Sequence, residues 1–166
     1  MTISSNAAQR ALDIINNLGG VAEDFRTSWL TLHAYSTEFD NGGDQRAILI
    51  NAIESSIDDT TAETIIGSFS SDIQYLNNNP VGDLRFTEQD ARFRRNGLRD
   101  IQNVLDLNIP AATRLGNLLC VTYQVRCNLE HGRKQLGTER SQRLFDIGNR
   151  IISSVIQTLV PLSNAS

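Results

Sequence analysis

The chain has 166 residues and a mass of 18.4 kDa, and we expect one domain over residues 1–166. Apolar residues make up 40% of it and charged residues 20%, a balance that excludes a largely disordered protein. The net charge is −4, but residues 1–84 carry three Arg and twelve Asp or Glu, whereas residues 85–166 carry eleven Arg, one Lys and seven acids. Arginine suits bidentate contacts with phosphate or carboxylate. The basic half therefore either attracts the acidic half within one fold or faces an anion.

The sequence predicts a cytoplasmic protein that does not associate with membranes. No apolar run approaches the roughly 18 residues that span a bilayer. The segment 1–6 has neither the basic nor the apolar region of an export signal. Cys120 and Cys127 would lie about 10.5 Å apart along one helix, whereas a disulfide needs Cα atoms within about 7 Å. We therefore expect free thiols, as in a reducing compartment.

The first half of the chain predicts four helices. Helical spacing over residues 8–18 predicts one that ends at Gly19-Gly20. A second stops before Asn41, and its inward residues are Val21, Phe25, Trp29 and Leu32. A third runs from about 44 to 57, and its inward residues are Ala47, Ile50, Ile53 and Ile57. Thr60 and Glu63 fit a capping box that opens a fourth, and its buried stripe is Ala62, Ile65, Ile66, Phe69, Ile73 and Leu76.

The second half begins with a loop over residues 77–83 and predicts three more helices. We interpret that loop as a surface loop, because about 80 residues on either side would make marginal domains. Residues 87–90 resemble a helix start, and the helix that follows is basic through Arg92, Arg94, Arg95 and Arg99. Pro110 fits the first turn of the next helix, which buries Leu115, Leu118, Leu119, Thr122 and Val125. Thr138 caps a last helix with the inward residues Leu144, Ile147, Ile151, Val155 and Leu159. No strand pattern of useful length appears, so we expect an all-α, compact, multi-helix up-and-down bundle.

Only two histidines occur, and we consider His33 a structural residue of its helix. His131 lies in a denser chemical context, since Arg126, Asn128 and further cations fall within residues 123–134. Imidazole transfers protons near neutral pH, and guanidinium stabilises a phosphate in its transition state. In one straight helix, however, positions 126 and 131 point roughly 140° apart. A purely structural alternative stays open, in which Arg126 pairs with Glu130 and His131 helps to close the helix.

No other catalytic or metal-binding motif is complete in the sequence, because the residue types that each requires are missing. Cys127 and His131 are four residues apart, but no second pair of ligands accompanies them. The glycine pairs lack the companions of a phosphate-binding loop. We therefore expect neither a metal nor a cofactor.

The segment Tyr123-Gln124-Val125-Arg126-Cys127-Asn128-Leu129-Glu130-His131-Gly132-Arg133-Lys134 resembles the motif of HEPN (higher eukaryotes and prokaryotes nucleotide-binding) domains. That motif has an Arg, commonly a polar residue such as Asn next, then three variable positions and a His, often within YxVRNNLxHGxK. The agreement is specific over these twelve residues and loose elsewhere, where residues 25–35 and 42–44 look like the family's first long helices.

The resemblance implies a HEPN-like helical domain that forms a homodimer, with the two motifs meeting in one composite site. It implies metal-independent cleavage of RNA, a hydrolase activity in which a ribose 2′-OH attacks the adjacent phosphate. In this chain His131 would be the general base or acid, and Arg126 would stabilise the charge on the phosphorus centre. Supporting roles would fall to Tyr123, Cys127, Asn128 and Glu130, and RNA contacts to Arg133, Lys134, Arg95 and Arg99. Family members include toxins of toxin–antitoxin pairs and antiviral defence effectors, so an antitoxin or regulatory protein is a possible further partner.

One departure from the motif keeps a second hypothesis open. Cys127 stands where the family commonly has Asn or another polar residue, and a thiol is a weak hydrogen-bonding group. The first hypothesis is an endoribonuclease. The second is a non-catalytic HEPN module that binds RNA, a nucleotide or a protein partner.

Overall fold

The structure, a computed structural model, describes residues 20–130 and 137–164 and contains no strand within them. It is all-helical there, as the sequence predicts. The predicted helix over 8–18 and the glycine at 132 lie outside the described residues. The helices are α1 (Val21–Ser36), α2 (Gln45–Ser56), α3 (Asp59–Ser68), α4 (Ser70–Asn78), α5 (Arg92–Leu105), α6 (Ala111–Glu130) and α7 (Glu139–Asn164), with a 3-10 turn at Thr37–Phe39.

Helix α6 lies at the centre of the packing. It contacts α2, α3, α5 and α7, while α1 packs mainly against α7. Most of its residues are buried, including the five that the sequence predicts. Gly116 permits the close approach of α2, because a Cβ at that position would lie only 2.8 Å from the Cα of Ile50. Apolar side chains of all seven helices join one core around α6.

The buried face of α2 differs from the prediction. Ile53 and Ile57 are buried as expected, but Ala47 is exposed and Ile50 is only partly buried. The other buried residues are Ile48, Leu49 and Ala52. This helix has neighbours on more than one side, namely α6, α1 and the 3-10 turn. Its buried face is therefore set by these neighbours and is not the stripe that the spacing alone indicated.

The predicted capping box at Thr60 and Glu63 is wrong. The N-cap is Asp58, whose carboxylate accepts a hydrogen bond from the backbone N–H of Thr61 at 2.7 Å. The carboxylate of Glu63 instead pairs with Nη1 of Arg114 on α6 at 2.9 Å. Glu63 therefore forms an ion pair with another helix and does not serve as the capping-box carboxylate.

The single helix predicted beyond residue 60 is two helices, α3 and α4. The chain leaves helical geometry at Phe69, with φ −109° and ψ 21°. The hydroxyl of Ser70 there donates to the carbonyl oxygen of Gly67 at 2.7 Å, and such local bonds compete with a continuing helix. The predicted stripe is nevertheless buried throughout.

The end of the chain follows the prediction. Thr138 caps α7, since its Oγ1 accepts a hydrogen bond from the backbone N–H of Ser141 at 3.1 Å. All five predicted inward residues of this helix are buried.

Pro110 directly precedes α6, and its carbonyl oxygen accepts a hydrogen bond from the N–H of Arg114 at 3.0 Å. None of the helices in the described ranges is long and apolar enough to cross a bilayer.

Candidate active site

The C-terminal half of α6 presents one stripe of accessible side chains. Tyr123, Arg126 and Cys127 are partly exposed and Glu130 is exposed, whereas the residues between them are buried. At about 100° per residue, these four positions share one side of the helix. We call them the motif stripe. His131 follows directly but lies outside the described residues, as do Arg133 and Lys134.

Arg126 lies against an aromatic ring of another helix. Its guanidinium carbon is 5.9 Å from the ring centroid of Trp29 on α1. Its Nε is buried and has no hydrogen-bond partner among the described residues. A cation–π contact holds such a side chain without consuming its donors. Because the side chain is partly exposed, the terminal nitrogens of Arg126, rather than the buried Nε, are the atoms able to donate hydrogen bonds to an anion.

Tyr123 extends this contact into a series of stacked rings and arginines, which we call the ladder: Arg126, Trp29, Tyr123 and Arg46. Its ring lies 5.6 Å from that of Trp29, with 29° between the planes. The guanidinium carbon of Arg46, on α2, lies 5.7 Å from the Tyr123 ring. Trp29 and Tyr123 thus each carry a contact to an arginine, and three helices contribute to one cluster.

Arg46 is itself fixed by a buried carboxylate. Its Nη1 pairs with Asp100 of α5, and its Nη2 donates to the amide oxygen of Gln124 at 3.2 Å. Asp100 also accepts a hydrogen bond from Arg99 at 3.4 Å. A buried carboxylate requires such partners because its desolvation is costly. The ladder is thereby joined to Arg99, one of the two predicted RNA-binding arginines on α5.

The two cysteines have different environments, and both are free thiols. Cys127 forms a side-chain hydrogen bond with Tyr123, and the pKa of Tyr123 is raised first by burial and then by this bond. Tyr123 is therefore a neutral hydroxyl near pH 7. Cys120 is buried behind the stripe, and burial raises the pKa of its thiol to about 12.

Asn128, a predicted supporting residue, lies behind the motif stripe. It is buried, its Nδ2 donates to the carbonyl oxygen of Gly82 at 2.8 Å, and its Oδ1 accepts from the N–H of Leu84 at 3.2 Å. The same oxygen accepts from Gln124 at 3.2 Å. What the structure describes of Asn128 is therefore an anchor between α6 and the 82–84 loop.

Glu130 does not form the pair with Arg126 that the structural alternative required. Its carboxylate lies 3.4 Å from Nε of Arg26 on α1, which also pairs with Glu23 at 3.2 Å. Within the described residues no ion pair joins Arg126 to Glu130. The structural alternative considered for Arg126 therefore loses its main contact.

Arg95 and Arg99 are both exposed on α5. Arg99 joins the ladder through Asp100, whereas Arg95 lies nearer the start of the helix and helps to lower the pKa of Asp90. The structure thus brings Arg99 into the network around Tyr123 and leaves Arg95 at the far end of the same exposed surface.

The sequence did not identify Trp29, Arg46 and Asp100 as neighbours of the motif. Their contacts with α6 come from distant parts of the chain, so no local spacing indicates them. His33 was interpreted as structural. It stacks on Trp29 at 6.2 Å, and its buried Nδ1 has no hydrogen-bond partner among the described residues.

Within residues 20–130 and 137–164, no three His, Cys, Asp or Glu side chains converge as a metal-binding group would. No protein-family model, curated protein or solved structure matches the chain.

Proposed function

We propose that this protein is a metal-independent endoribonuclease of HEPN type. The observation that carries the proposal is Arg126: a partly exposed guanidinium that lies over Trp29 and forms no ion pair with a described residue, five residues before His131 in the HEPN-like motif. Guanidinium in such a place suits a phosphate that gains charge in its transition state.

The proposed chemistry uses a base and an acid in turn. One imidazole removes the proton from a ribose 2′-OH, and the oxygen attacks the adjacent phosphorus. The bond from phosphorus to the 5′ oxygen breaks, a second group protonates that leaving oxygen, and a 2′,3′-cyclic phosphate remains. Arg126 stabilises the added negative charge on the phosphorus centre.

A homodimer is part of this proposal. One chain supplies a single His131, whereas the reaction needs both a base and an acid. Two motif stripes that meet across an interface would supply two imidazoles and two guanidiniums to one composite site. Tyr123, Cys127 and Glu130 would then line that interface.

The biological setting that fits this activity is a cytoplasmic toxin or defence effector. Such an enzyme damages its own cell when unregulated, so an antitoxin or regulatory protein is the partner that we expect. RNA is the proposed substrate.

A second candidate function is a non-catalytic HEPN module. The environment of Asn128 favours it, because Cys127 occupies the usual polar position and the neighbouring amide is buried and already hydrogen-bonded. Asn128 is therefore buried and bound to the 82–84 loop, so its side chain does not replace the missing polar group at the surface of α6. In this case the protein binds RNA, a nucleotide or a protein without turnover.

The deciding experiment incubates the purified protein with total cellular RNA in EDTA. We expect cleavage with 2′,3′-cyclic phosphate ends, and a loss of at least about 100-fold in His131→Ala and Arg126→Ala. Arg150→Ala is the matched control, because Arg150 is an exposed arginine that pairs with Asp72 and Asp146 on α4 and α7.

Two outcomes decide between the candidates. RNA that stays intact at high protein concentration supports the binding module, and restoration of cleavage by Cys127→Asn would then identify the lost accessory group. Cleavage that persists in His131→Ala refutes the catalytic assignment. Sedimentation equilibrium tests the dimer separately.

A further inference from the structure

Two short segments, one before α5 and one ending at its first residue, repeat one geometry. Asp83-Leu84-Arg85 and Asp90-Ala91-Arg92 lie seven residues apart. In the first, the aspartate accepts hydrogen bonds from the arginine backbone N–H at 3.1 Å, from Nε at 3.0 Å and from Nη2 at 2.6 Å. In the second, the corresponding distances are 2.9, 3.1 and 2.7 Å. We call these segments the twin clamps.

Both clamped arginines lie against one aromatic ring. The guanidinium carbons of Arg85 and Arg92 are 5.5 and 4.3 Å from the ring centroid of Phe86. Their side chains are 59% and 55% exposed, whereas those of Asp83 and Asp90 are 2% and 28% exposed. The cations therefore face solvent and the carboxylates lie behind them.

Each clamp leaves part of its guanidinium available. The carboxylate occupies Nε and Nη2, and within the described residues no hydrogen bond occupies Nη1 of Arg85 or Arg92. Because the carboxylate fixes the plane of the group, an incoming phosphate meets donors that are already oriented. This is a different arrangement from a flexible surface lysine, which presents only a mobile point charge.

The surrounding surface is also cationic towards solvent. Three more exposed arginines follow on α5, namely Arg94, Arg95 and Arg99. Among the nearby acids, Asp83 and Asp100 have buried side chains, and Glu88 is exposed. Arg92, Arg95 and Arg99 share one side of α5 at about 100° per residue. Together with Arg85, they meet an approaching ligand before most of the balancing carboxylates do, which favours a polyanion.

The first clamp is attached to the motif helix. Asn128 of α6 holds the loop on both sides of Asp83 through its hydrogen bonds to Gly82 and Leu84. The first clamp is thus fixed to α6 at the residue that directly follows Cys127 of the motif stripe.

We propose that Arg85, Phe86 and Arg92 form a phosphate-binding subsite for single-stranded RNA that leads to Arg126. This inference deepens the proposed function and rests on it, since it assigns the substrate's path to the same site. The two arginines contact successive backbone phosphates, and the exposed arginines of α5 continue the track. Arg85 and Arg92 are positioning residues, because neither is placed at the reacting bond.

The test measures binding without cleavage. A fluorescein-labelled, 2′-O-methylated 12-nucleotide RNA has no 2′-OH to attack, and its anisotropy is titrated with protein in EDTA at several salt concentrations. We expect each of Arg85→Gln and Arg92→Gln to weaken binding about tenfold. The slope of log affinity against log salt concentration is negative. In the double variant we expect it to become shallower by about 1.4, which corresponds to the loss of two single-strand phosphate contacts.

Arg150→Gln is the matched control. Arg150 is also exposed, is held by Asp72 at 2.8 and 2.9 Å, and lies 6.0 Å from the ring of Phe69. It has the same chemistry in another place, so its variant should bind as the wild type does. The double variant with Arg85→Lys and Arg92→Lys keeps both positive charges but loses the two parallel donors with which a guanidinium binds phosphate. It should weaken affinity and leave the salt slope nearly unchanged.

The outcomes separate this inference from the cleavage proposal. Wild-type affinity and slope in the double glutamine variant overturn it, as does an absence of oligonucleotide binding by the wild type. If total RNA stays intact but binding depends on both arginines, the subsite stands and the nuclease proposal fails. If Arg85→Gln does not fold because buried Asp83 loses its partner, Arg92→Gln alone carries the test, with an expected slope change of about 0.7.

Discussion

The contact between α5 and the preceding loop gives a sharp stability prediction for Gly97→Ala. Gly97 is buried in the middle of α5, and a Cβ there would lie 2.1 Å from the carbonyl oxygen of Val81 and 3.1 Å from its nitrogen. A close carbon–oxygen contact is about 3.3 Å. The loop and the helix must therefore separate by about 1.2 Å, and the obstructing atoms are backbone, which no rotamer change can move.

Two opposing terms set the magnitude. Alanine is better than glycine inside a helix by about 1 kcal/mol, whereas forcing an extra methyl group into a packed contact costs about 1–3 kcal/mol. Because the clash is with backbone, we take the upper part of that range. The expected net loss of stability is about 1–2 kcal/mol, which lowers the Tm of a chain of this size by about 2–8 °C.

Gly67→Ala is the matched control, since Gly67 is also helical but has nothing within 4 Å of the position that an alanine methyl group would take. We expect its Tm to rise by about 2–4 °C, because only the propensity gain remains. Thermal unfolding followed by circular dichroism measures both variants. A Tm for Gly97→Ala equal to or above that of the wild type would refute the close packing of the loop on α5.

Three further predictions concern single groups. Asn128→Ala removes the hydrogen bonds from Asn128 to the backbone of Gly82 and Leu84 and should lower the free energy of unfolding in urea by about 2–3 kcal/mol; a change under about 0.5 kcal/mol would contradict its anchoring role. In an NMR titration Asp90 should show a pKa of about 2, chiefly because Arg92 donates to its carboxylate, and Arg92→Gln should return it towards 3.8. Since that folded pKa is below the unfolded one, the pair stabilises the fold above about pH 4 and this contribution disappears as the pH falls towards 2. A disulfide reagent should label Cys127 in the native protein and Cys120 only after denaturation, because burial raises the pKa of Cys120 to about 12; fast labelling of both would contradict that burial.

Helical periodicity predicted most of the described fold because each long helix buries one continuous stripe. It failed where a tertiary contact competed with a local pattern. Glu63 has the spacing of a capping box, but Arg114 lies within 2.9 Å of its carboxylate in the fold. The break at Phe69 likewise follows from local serine bonds and packing that a stripe cannot reveal.

Some residues of the candidate site could likewise be predicted from the sequence, and others could not. The motif named Tyr123, Arg126 and Cys127 as candidate site residues, and the structure places their partly exposed side chains on one side of α6. The partner of Arg126 could not be predicted, because Trp29 is almost a hundred positions away and its apolar spacing indicated only a core residue. The twin clamps are visible as a repeated Asp-x-Arg pattern, but their common ring at Phe86 appears only in three dimensions.

Trp29 is the only tryptophan in the chain. Its ring lies under Arg126 and beside Tyr123, so the intrinsic tryptophan emission of the protein comes from one indole at the motif stripe. An anion that draws the guanidinium away from the ring changes the local field of that indole, and excitation energy absorbed by Tyr123 passes to it over a stacking distance. The protein therefore carries a built-in optical reporter, and occupancy at Arg126 can be followed in unlabelled protein.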